Sequence, residues 1–373
     1  MNRQQIFFRL ILLLLVFQTG TLQAQSSLPK PDHIVVVILE NHSFNQIIGS
    51  SAAPYINSLV NDTASALFTG SYGITHPSQP NYLALYSGST QGITNDAIPT
   101  GSSFTTPNLG SQLINSGETF VTYSEDLPVA GFNGETSGFY ARKHNPVTNW
   151  MGNGINQVSQ ATNQPFTAFP TDFSLLPTVC FVVPNLQNDM HNGTDPGSIT
   201  TGDEWISNNL NNYIQWAKTN NSLFIVTFDE DDNSTSNHIA TIMTGQMVVQ
   251  GNYTTKINHF SILHTIERMY GLPSIGDSVI SAPINLSWKT YLPTNSLSEG
   301  LMYPNPAKDF FYILQTEYNN ANAEIYDLKG SLIQAQPLVT AKTFVDIQNL
   351  KSGFYLVKIS TKTGMIVRKF IKS

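Results

Sequence analysis

Residues 33–42 read His-Ile-Val-Val-Val-Ile-Leu-Glu-Asn-His. A continuous apolar run built round three successive valines has no solvated face, which is the pattern of a strand buried on both sides of a parallel sheet. The run stops on Glu40, Asn41 and His42. The same design recurs twice. Val179–Val183 leads through Pro184 to Asn185, Asp189 and His191, and residues 223–228 lead directly to Asp229, Glu230, Asp231 and Asp232. Residues 119–123 are a further candidate strand. The spacing of Trp205, Ile206, Leu210, Tyr213, Ile214 and Ala217 predicts a helix over 203–217. Residues 81–86 and 261–270 also read as helices, the second stopped by Gly271 and Pro273. Strands alternating with helices predict an α/β domain with a mostly parallel sheet covered by helices on both faces.

In such sheets functional groups collect beyond the carboxyl ends of the strands. Three apolar strands here end in three polar clusters. Any one of them reads equally well as an ordinary solvated strand end, but carboxylates gathered at one end of a sheet repel each other. A divalent cation is the simplest relief, and oxygen-rich ligation favours a hard or borderline metal. A fourth stretch, Thr-His-Pro-Ser-Gln-Pro-Asn-Tyr at 75–82, opens a helix. Ser78 suits two roles there. It can cap the helix, or its hydroxyl can stand where backbone N–H groups and the helix dipole favour a phosphate.

The 373 residues suffice for one large domain and a small one, and 40% of them are apolar. Charged residues are only 12%. They are unevenly spread: residues 25–299 carry 7 Lys+Arg against 20 Asp+Glu, or −13, and residues 300–373 carry 9 against 5, or +4. The acidic main domain argues against a nucleic-acid coat. Arg3 and Arg9, the apolar run of eight from Leu10 to Phe17, and Leu22-Gln23-Ala24 before Gln25 read as a secretory signal peptide over 1–24. Eight residues cannot cross the roughly 30 Å of a bilayer core, and no other run approaches spanning length, so no stable transmembrane segment is expected after processing. Cys180 is the only cysteine. It excludes an intramolecular disulfide and a cysteine-based zinc site, and it reads as a small buried hydrophobe.

The domain predicted over 25–290 gives way to a linker-like 291–300. Beyond it, 310–315, 323–326, 343–347, 353–359 and 365–371 alternate and are separated by turn signals, the pattern of a small antiparallel β-sandwich.

Residues 35–44 (VVVILENHSF), 75–88 (THPSQPNYLALYSG), 140–146 (YARKHNP), 185–193 (NLQNDMHNG), 225–231 (IVTFDED) and 258–273 (NHFSILHTIERMYGLP) together resemble the bacterial and fungal phosphoesterase family. That family holds acid phosphatases, phosphatidylinositol-3-phosphatase-like enzymes and phospholipases C, and is related to the alkaline phosphatase superfamily. The resemblance implies that Ser78 is a nucleophile that also ligates metal. It implies Glu40, Asn41, Asp229 and Glu230 as the other ligands of a divalent ion, with calcium, magnesium, manganese and zinc all open. It places Asn81 on the phosphate and has His76, His144, Asp189, His191 and His238 lining the site, His191 first and His144 second as proton donor to the leaving group. His33, His42, His259 and His264 are left as structural.

The tail is similar to the type IX secretion sorting domain over 301–373, through 302–307 (MYPNPA), 324–330 (EIYDLKG), 350–359 (LKSGFYLVKI) and 369–372 (KFIK). This implies passage through the type IX machinery to the cell surface or medium. The expected activity is a metal-dependent phosphomonoesterase working through a seryl-phosphate on a small-molecule or lipid-headgroup ester. A phospholipase C-type phosphodiesterase is the alternative enzyme. A catalytically silent surface binding protein on the same scaffold is the alternative of another class.

Overall fold

Strand β1 (His33–Leu39) lies inside the main sheet of the computed structural model, which describes residues 28–101, 103–234, 236–285, 287–289, 301–314, 321–360 and 365–373. The expected signal peptide and the linker at 291–300 lie outside the described residues. The chain divides between Lys289 and Thr290 into two compact units.

The first unit is built on nine strands: β1, β2 (Ser65–Tyr72), β3 (Phe120–Ser124), β4 (Asn163–Pro165), β5 (Val179–Val183), β6 (Ser222–Phe228), β7 (His238–Gly245), β8 (Gly251–Tyr253) and β9 (Ile257–Asn258). Their order in space is β8-β2-β7-β6-β1-β5-β3-β4, with β9 also paired to β2. Every pairing is parallel except those of β7, which runs antiparallel to both β2 and β6.

The period-2 geometry of β1 divides its side chains between two cores. Ile34, Val36 and Ile38 pack with helices α2 (Ser78–Ser87), α3 (Leu109–Asn115) and α5 (His259–Tyr270). Val35, Val37 and Leu39 pack with α1 (Pro54–Val60) and α4 (Gly197–Ala217) on the opposite face. This is the expected α/β layering. Five strands exceed the sequence expectation, β2, β4, β7, β8 and β9, and α2 begins at Ser78 rather than at residue 81. Pro80 is tolerated there because the first turn of a helix has no intrahelical use for its missing N–H. All of α2 is buried, and it ends on Gly88 at φ +68°. A Cβ at Gly88 would meet the Ile275 carbonyl oxygen at 2.1 Å, and one at Gly276 would meet the Gly88 oxygen at 2.2 Å. The two glycines fix how closely the end of α2 approaches the 275–276 segment.

The second unit has two antiparallel sheets. One orders β10 (Leu301–Tyr303), β11 (Phe310–Leu314) and β14 (Lys342–Asp346). The other orders β13 (Leu332–Leu338), β12 (Ala321–Tyr326), β15 (Gly353–Ser360) and β16 (Met365–Lys372). Phe311, Ile313, Ile325, Val345, Val357, Ile359 and Phe370 form its core.

Candidate active site

Because β1, β5 and β6 are parallel neighbours, their carboxyl ends open on one edge of the sheet. The backbone ties the three ends together: Glu40 N donates to Asp189 O over 2.8 Å, and Asp229 N donates to Leu39 O over 2.9 Å. Asn41 sits at φ +55°, a left-handed conformation that asparagine tolerates better than most residues. That turn lets Asn41 N donate to Asp229 Oδ1 at 3.1 Å and Asn41 Nδ2 to Glu40 Oε2 at 3.1 Å.

Ser78 enters this edge from the start of α2. Pro77 holds the cap position and no side chain caps the helix. Ser78 Oγ instead donates to Glu40 Oε2 at 2.9 Å and lies 3.4 Å from Glu230 Oε1. The capping alternative is thereby set aside: this hydroxyl is buried and turned toward the carboxylates. Tyr82, one turn on, donates to Glu40 Oε1 at 2.5 Å. Asn81 is fully engaged with its own turn. Its Oδ1 accepts from Ile74 N and Thr75 N, while its Nδ2 donates to Thr75 O, with Pro77 O and Glu230 Oε2 at 3.2 and 3.3 Å. In this arrangement it shapes the serine turn.

The histidines arrive from two loops. His144 Nδ1 pairs with Asp189 Oδ2 at 3.0 Å, and its ring stacks on Tyr82. His144 Nε2 stands 3.2 Å from Glu40 Oε1 at an angle that makes no hydrogen bond, so this buried nitrogen has no partner. His191 N donates to Asp189 Oδ1 at 2.8 Å. Its Nδ1 lies 3.1 Å from Asn192 Oδ1 and its Nε2 3.2 Å from Lys143 Nζ, which also pairs with Asp96 Oδ2 at 3.0 Å. His76 Nδ1 meets Glu230 Oε2 at 2.9 Å. The His238 backbone N donates to Asp231 Oδ2 at 3.1 Å, but its ring makes no hydrogen bond to the site carboxylates among the described residues. It stacks between Phe44 and Tyr72, with Nε2 on Thr69 O. Of the histidines expected to be structural, His42 bridges Glu40 O and Asp195, and His259 holds Asp229 O at 2.6 Å.

Burial and crowding shift the titration of this group. Burial first, then the charges of Asp229 and Asp189, raise Glu40 well above the usual carboxylate range. Burial pushes Asp229 up to about 7, and burial with the Asp229 and Asp96 charges pushes Glu230 up to about 8. His144 and His191 are held down, chiefly by burial and secondarily by Lys143. Burial works against the Lys143 charge, but Glu40, Asp96 and Asp229 outweigh it and raise Lys143.

These are the properties of a cation site. Asp229 Oδ2 and His144 Nε2 are buried without a partner, and ionised carboxylates this close need a positive charge among them. Ligand atoms of Glu40, His144 and His191 all lie within 4.8 Å of one another. The residue set thus fits a divalent ion. Lys143 and Tyr82 are the contributors that sequence reading missed. Lys143 lies in a basic Arg-Lys-His run that looks solvated, and only the approach of Asp96, distant in sequence, draws it inward.

Residues 50–273 match the model of the phosphoesterase family, and residues 301–373 match the secretion system C-terminal sorting domain. A phosphatidylinositol-3-phosphatase of Mycobacterium tuberculosis is 44% identical over 267 residues, which cover 71% of this chain and 85% of that protein. An acid phosphatase of Aspergillus fumigatus is 34% identical over 228 residues, 56% of this chain and 49% of that one, so the chain spans about half of this fungal relative. Among solved structures, a protein in the alkaline phosphatase superfamily from Vibrio parahaemolyticus aligns at a TM-score of 0.47 and 14% identity, covering 85% of this chain and 84% of that chain.

Proposed function

The chain belongs to the phosphoesterase family and is a phosphoric-ester hydrolase of the acid-phosphatase type, and on that premise we propose that it is a phosphomonoesterase whose nucleophile is Ser78. The observation that carries this reading is the buried Ser78 Oγ at a helix start, donating to Glu40 Oε2 at 2.9 Å inside a cluster of carboxylates and histidines.

Glu40, Asn41, Asp229, Glu230 and Ser78 would hold a divalent ion, with His144 and His191 close enough to join Glu40 as ligands. When bound, such an ion lowers the pKa of a coordinated hydroxyl and offsets phosphoryl charge. The protein's own groups do the rest. As Ser78 Oγ bonds to phosphorus, its proton passes to Glu40 Oε2 and the bond from phosphorus to the alcohol oxygen breaks. His191, coupled to Lys143, supplies the proton that the departing alkoxide takes up. Lys143 brings positive charge to the equatorial phosphoryl oxygens, the usual source of stabilisation in phosphoryl transfer. Water then cleaves the seryl-phosphate, restoring the serine hydroxyl and releasing inorganic phosphate. The Mycobacterium relative directs the substrate search to phosphorylated lipid headgroups. The sorting domain at 301–373 marks the chain for type IX secretion, so the ester would be met outside the cell. Among the described residues no helix is long and apolar enough to cross a membrane.

The test is hydrolysis of p-nitrophenyl phosphate against bis-p-nitrophenyl phosphate by the full chain, with and without EDTA. Monoester turnover that EDTA abolishes and a divalent metal restores is the expected result. Turnover of the diester alone would replace the reading by a phosphodiesterase. Turnover of neither, in folded and metal-loaded protein, would replace it by a binding protein.

A further inference from the structure

We propose that Asp96 is a positioning residue that latches the active site: its carboxylate holds two donors that a phosphoryl group needs, and an incoming ester must turn it out. The inference rests on the reading above, in which Lys143 serves the phosphoryl oxygens beside Ser78. Asp96 Oδ1 accepts from Gln79 N at 3.0 Å, and Asp96 Oδ2 accepts from Lys143 Nζ at 3.0 Å. Gln79 N is the first amide after Ser78 at the start of α2, where backbone donors favour an anion. Lys143 Nζ in turn lies 3.2 Å from His191 Nε2. One side-chain anion therefore bridges the start of the serine helix to the lysine, and its charge is felt at Glu230 and His191.

A phosphoryl group and a carboxylate cannot share these donors without bringing like charges together. The segment that carries Asp96 is built to let go. Thr94, Asn95, Ala97 and Ile98 are exposed. Among the described residues, every hydrogen bond between 94–100 and the rest of the chain is given by Gln79 or Lys143. Besides the two to Asp96, Gln79 Nε2 donates to Asn95 O at 2.9 Å and to Ala97 O at 2.8 Å. Gly92 at φ +72° and Gly101 at φ +103° bracket the segment, and a Cβ at either would meet nothing within 4 Å. Unpacked glycines of this kind can absorb a hinge motion. The Asp96–Lys143 pair is 32% and 21% exposed, so solvent screens it and a stronger anion can replace it. A cleft of about 270 Å³, lined in part by Gln79, Asp96, Ile98 and Lys143, leaves the carboxylate room to turn.

The probe is inorganic phosphate, titrated by calorimetry into the metal-loaded full chain. Asp96→Asn keeps an acceptor for Gln79 N and removes the charge that holds Lys143. Phosphate should bind this variant about fivefold or more tighter, because a closed population no longer has to be opened. For p-nitrophenyl phosphate, KM should fall by a similar factor while kcat stays within about twofold. A residue that merely supported the fold would shift binding the other way. Equal or weaker phosphate binding in the variant, or no binding to either protein, overturns the latch. An environment-sensitive fluorophore on Ala97→Cys reads the motion, since Cys180 is buried and stays unlabelled. Its emission should change as phosphate saturates the chain, and in the Asp96→Asn background it should start at the phosphate-bound value. Tighter binding with an unresponsive label would mean fixed charge repulsion and overturns the opening. Phosphate binding needs no turnover, so the two readings fail separately. The predicted shifts in a chain that hydrolyses no ester would keep the latch and remove the catalytic reading; turnover without the shifts would do the reverse.

Discussion

Lys143 Nζ lies 3.2 Å from His191 Nε2. An ammonium can only donate, so His191 accepts at Nε2 and keeps its proton on Nδ1, facing Asn192 Oδ1. In this resting arrangement the ring is neutral, and it becomes a proton donor at Nε2 only on the acid side of the ordinary histidine range. Lys143→Met should lower kcat/KM by about 10²-fold through loss of charge at the phosphoryl group. It should also let the His191 pKa rise, because the lysine charge depresses it. The limb of the pH–rate profile that reports the acid should therefore move to higher pH, with Lys143→Arg restoring part of the rate. A profile that stays in place would detach His191 from proton transfer.

Ser78→Ala removes the attacking oxygen but no core volume. Turnover of p-nitrophenyl phosphate should fall about 10³-fold or more, while the thermal midpoint moves by no more than about 4 °C. Near-normal turnover in a folded variant would remove Ser78 from the nucleophile role.

Asp229 Oδ2 is buried without a hydrogen-bond partner, and Asp229→Asn keeps its shape while removing its negative charge. Affinity for Mn²⁺ or Zn²⁺, measured by calorimetry, should drop about 100-fold. Glu40→Gln should do the same and also weaken the acceptor of Ser78. Unchanged affinity in both variants would place the ion elsewhere.

The raised carboxylates give the metal-free protein an inverted pH dependence. Asp229, at about 7 when folded, and Glu230, at about 8, bind protons more tightly in the native chain than in the unfolded one. Their contribution to stability is present below the unfolded values near 4 and is lost as pH rises through 7 and 8. Thermal midpoints of EDTA-treated protein should fall between pH 5 and pH 8, and saturating metal should flatten the decline. A midpoint that rises over this interval in EDTA would contradict the assignment.

Gly88→Ala places a methyl against the Ile275 carbonyl at a positive φ. Denaturant unfolding should show a loss of about 2 kcal/mol or more, since both the contact and the backbone conformation are disfavoured.

β1 was legible because burial on both faces leaves an unbroken aliphatic run. β7 was not, because its residues at 241 and 244 are threonines. Their hydroxyls are buried yet paired across the sheet, Thr244 with Ser65, and Thr241 with Ser71 and Thr227. A hydrogen-bonded hydroxyl row makes a core strand look half polar, and the same row disguised β2. In the site, Glu40 and Asp229 could be read because each follows a strand directly, and Asp189 because it lies in the short polar stretch after β5. The engagement of Asn81 with its own turn and the stacking of His238 depend on residues brought together only by folding, as does the inward turn of Lys143.

The alternation along β1 carries one more consequence. Odd and even residues serve different cores, and Glu40 follows as the next residue. Adding or removing one residue within the strand would exchange the partners of both cores at once. It would also carry Glu40 about 3.3 Å along the sheet, away from Ser78 and Tyr82. Length is therefore frozen between residues 34 and 40 for two unrelated reasons that fail together. Descendants of this protein can drift in length at its surface turns, but an indel in this strand leaves no folded intermediate on which selection for activity could act.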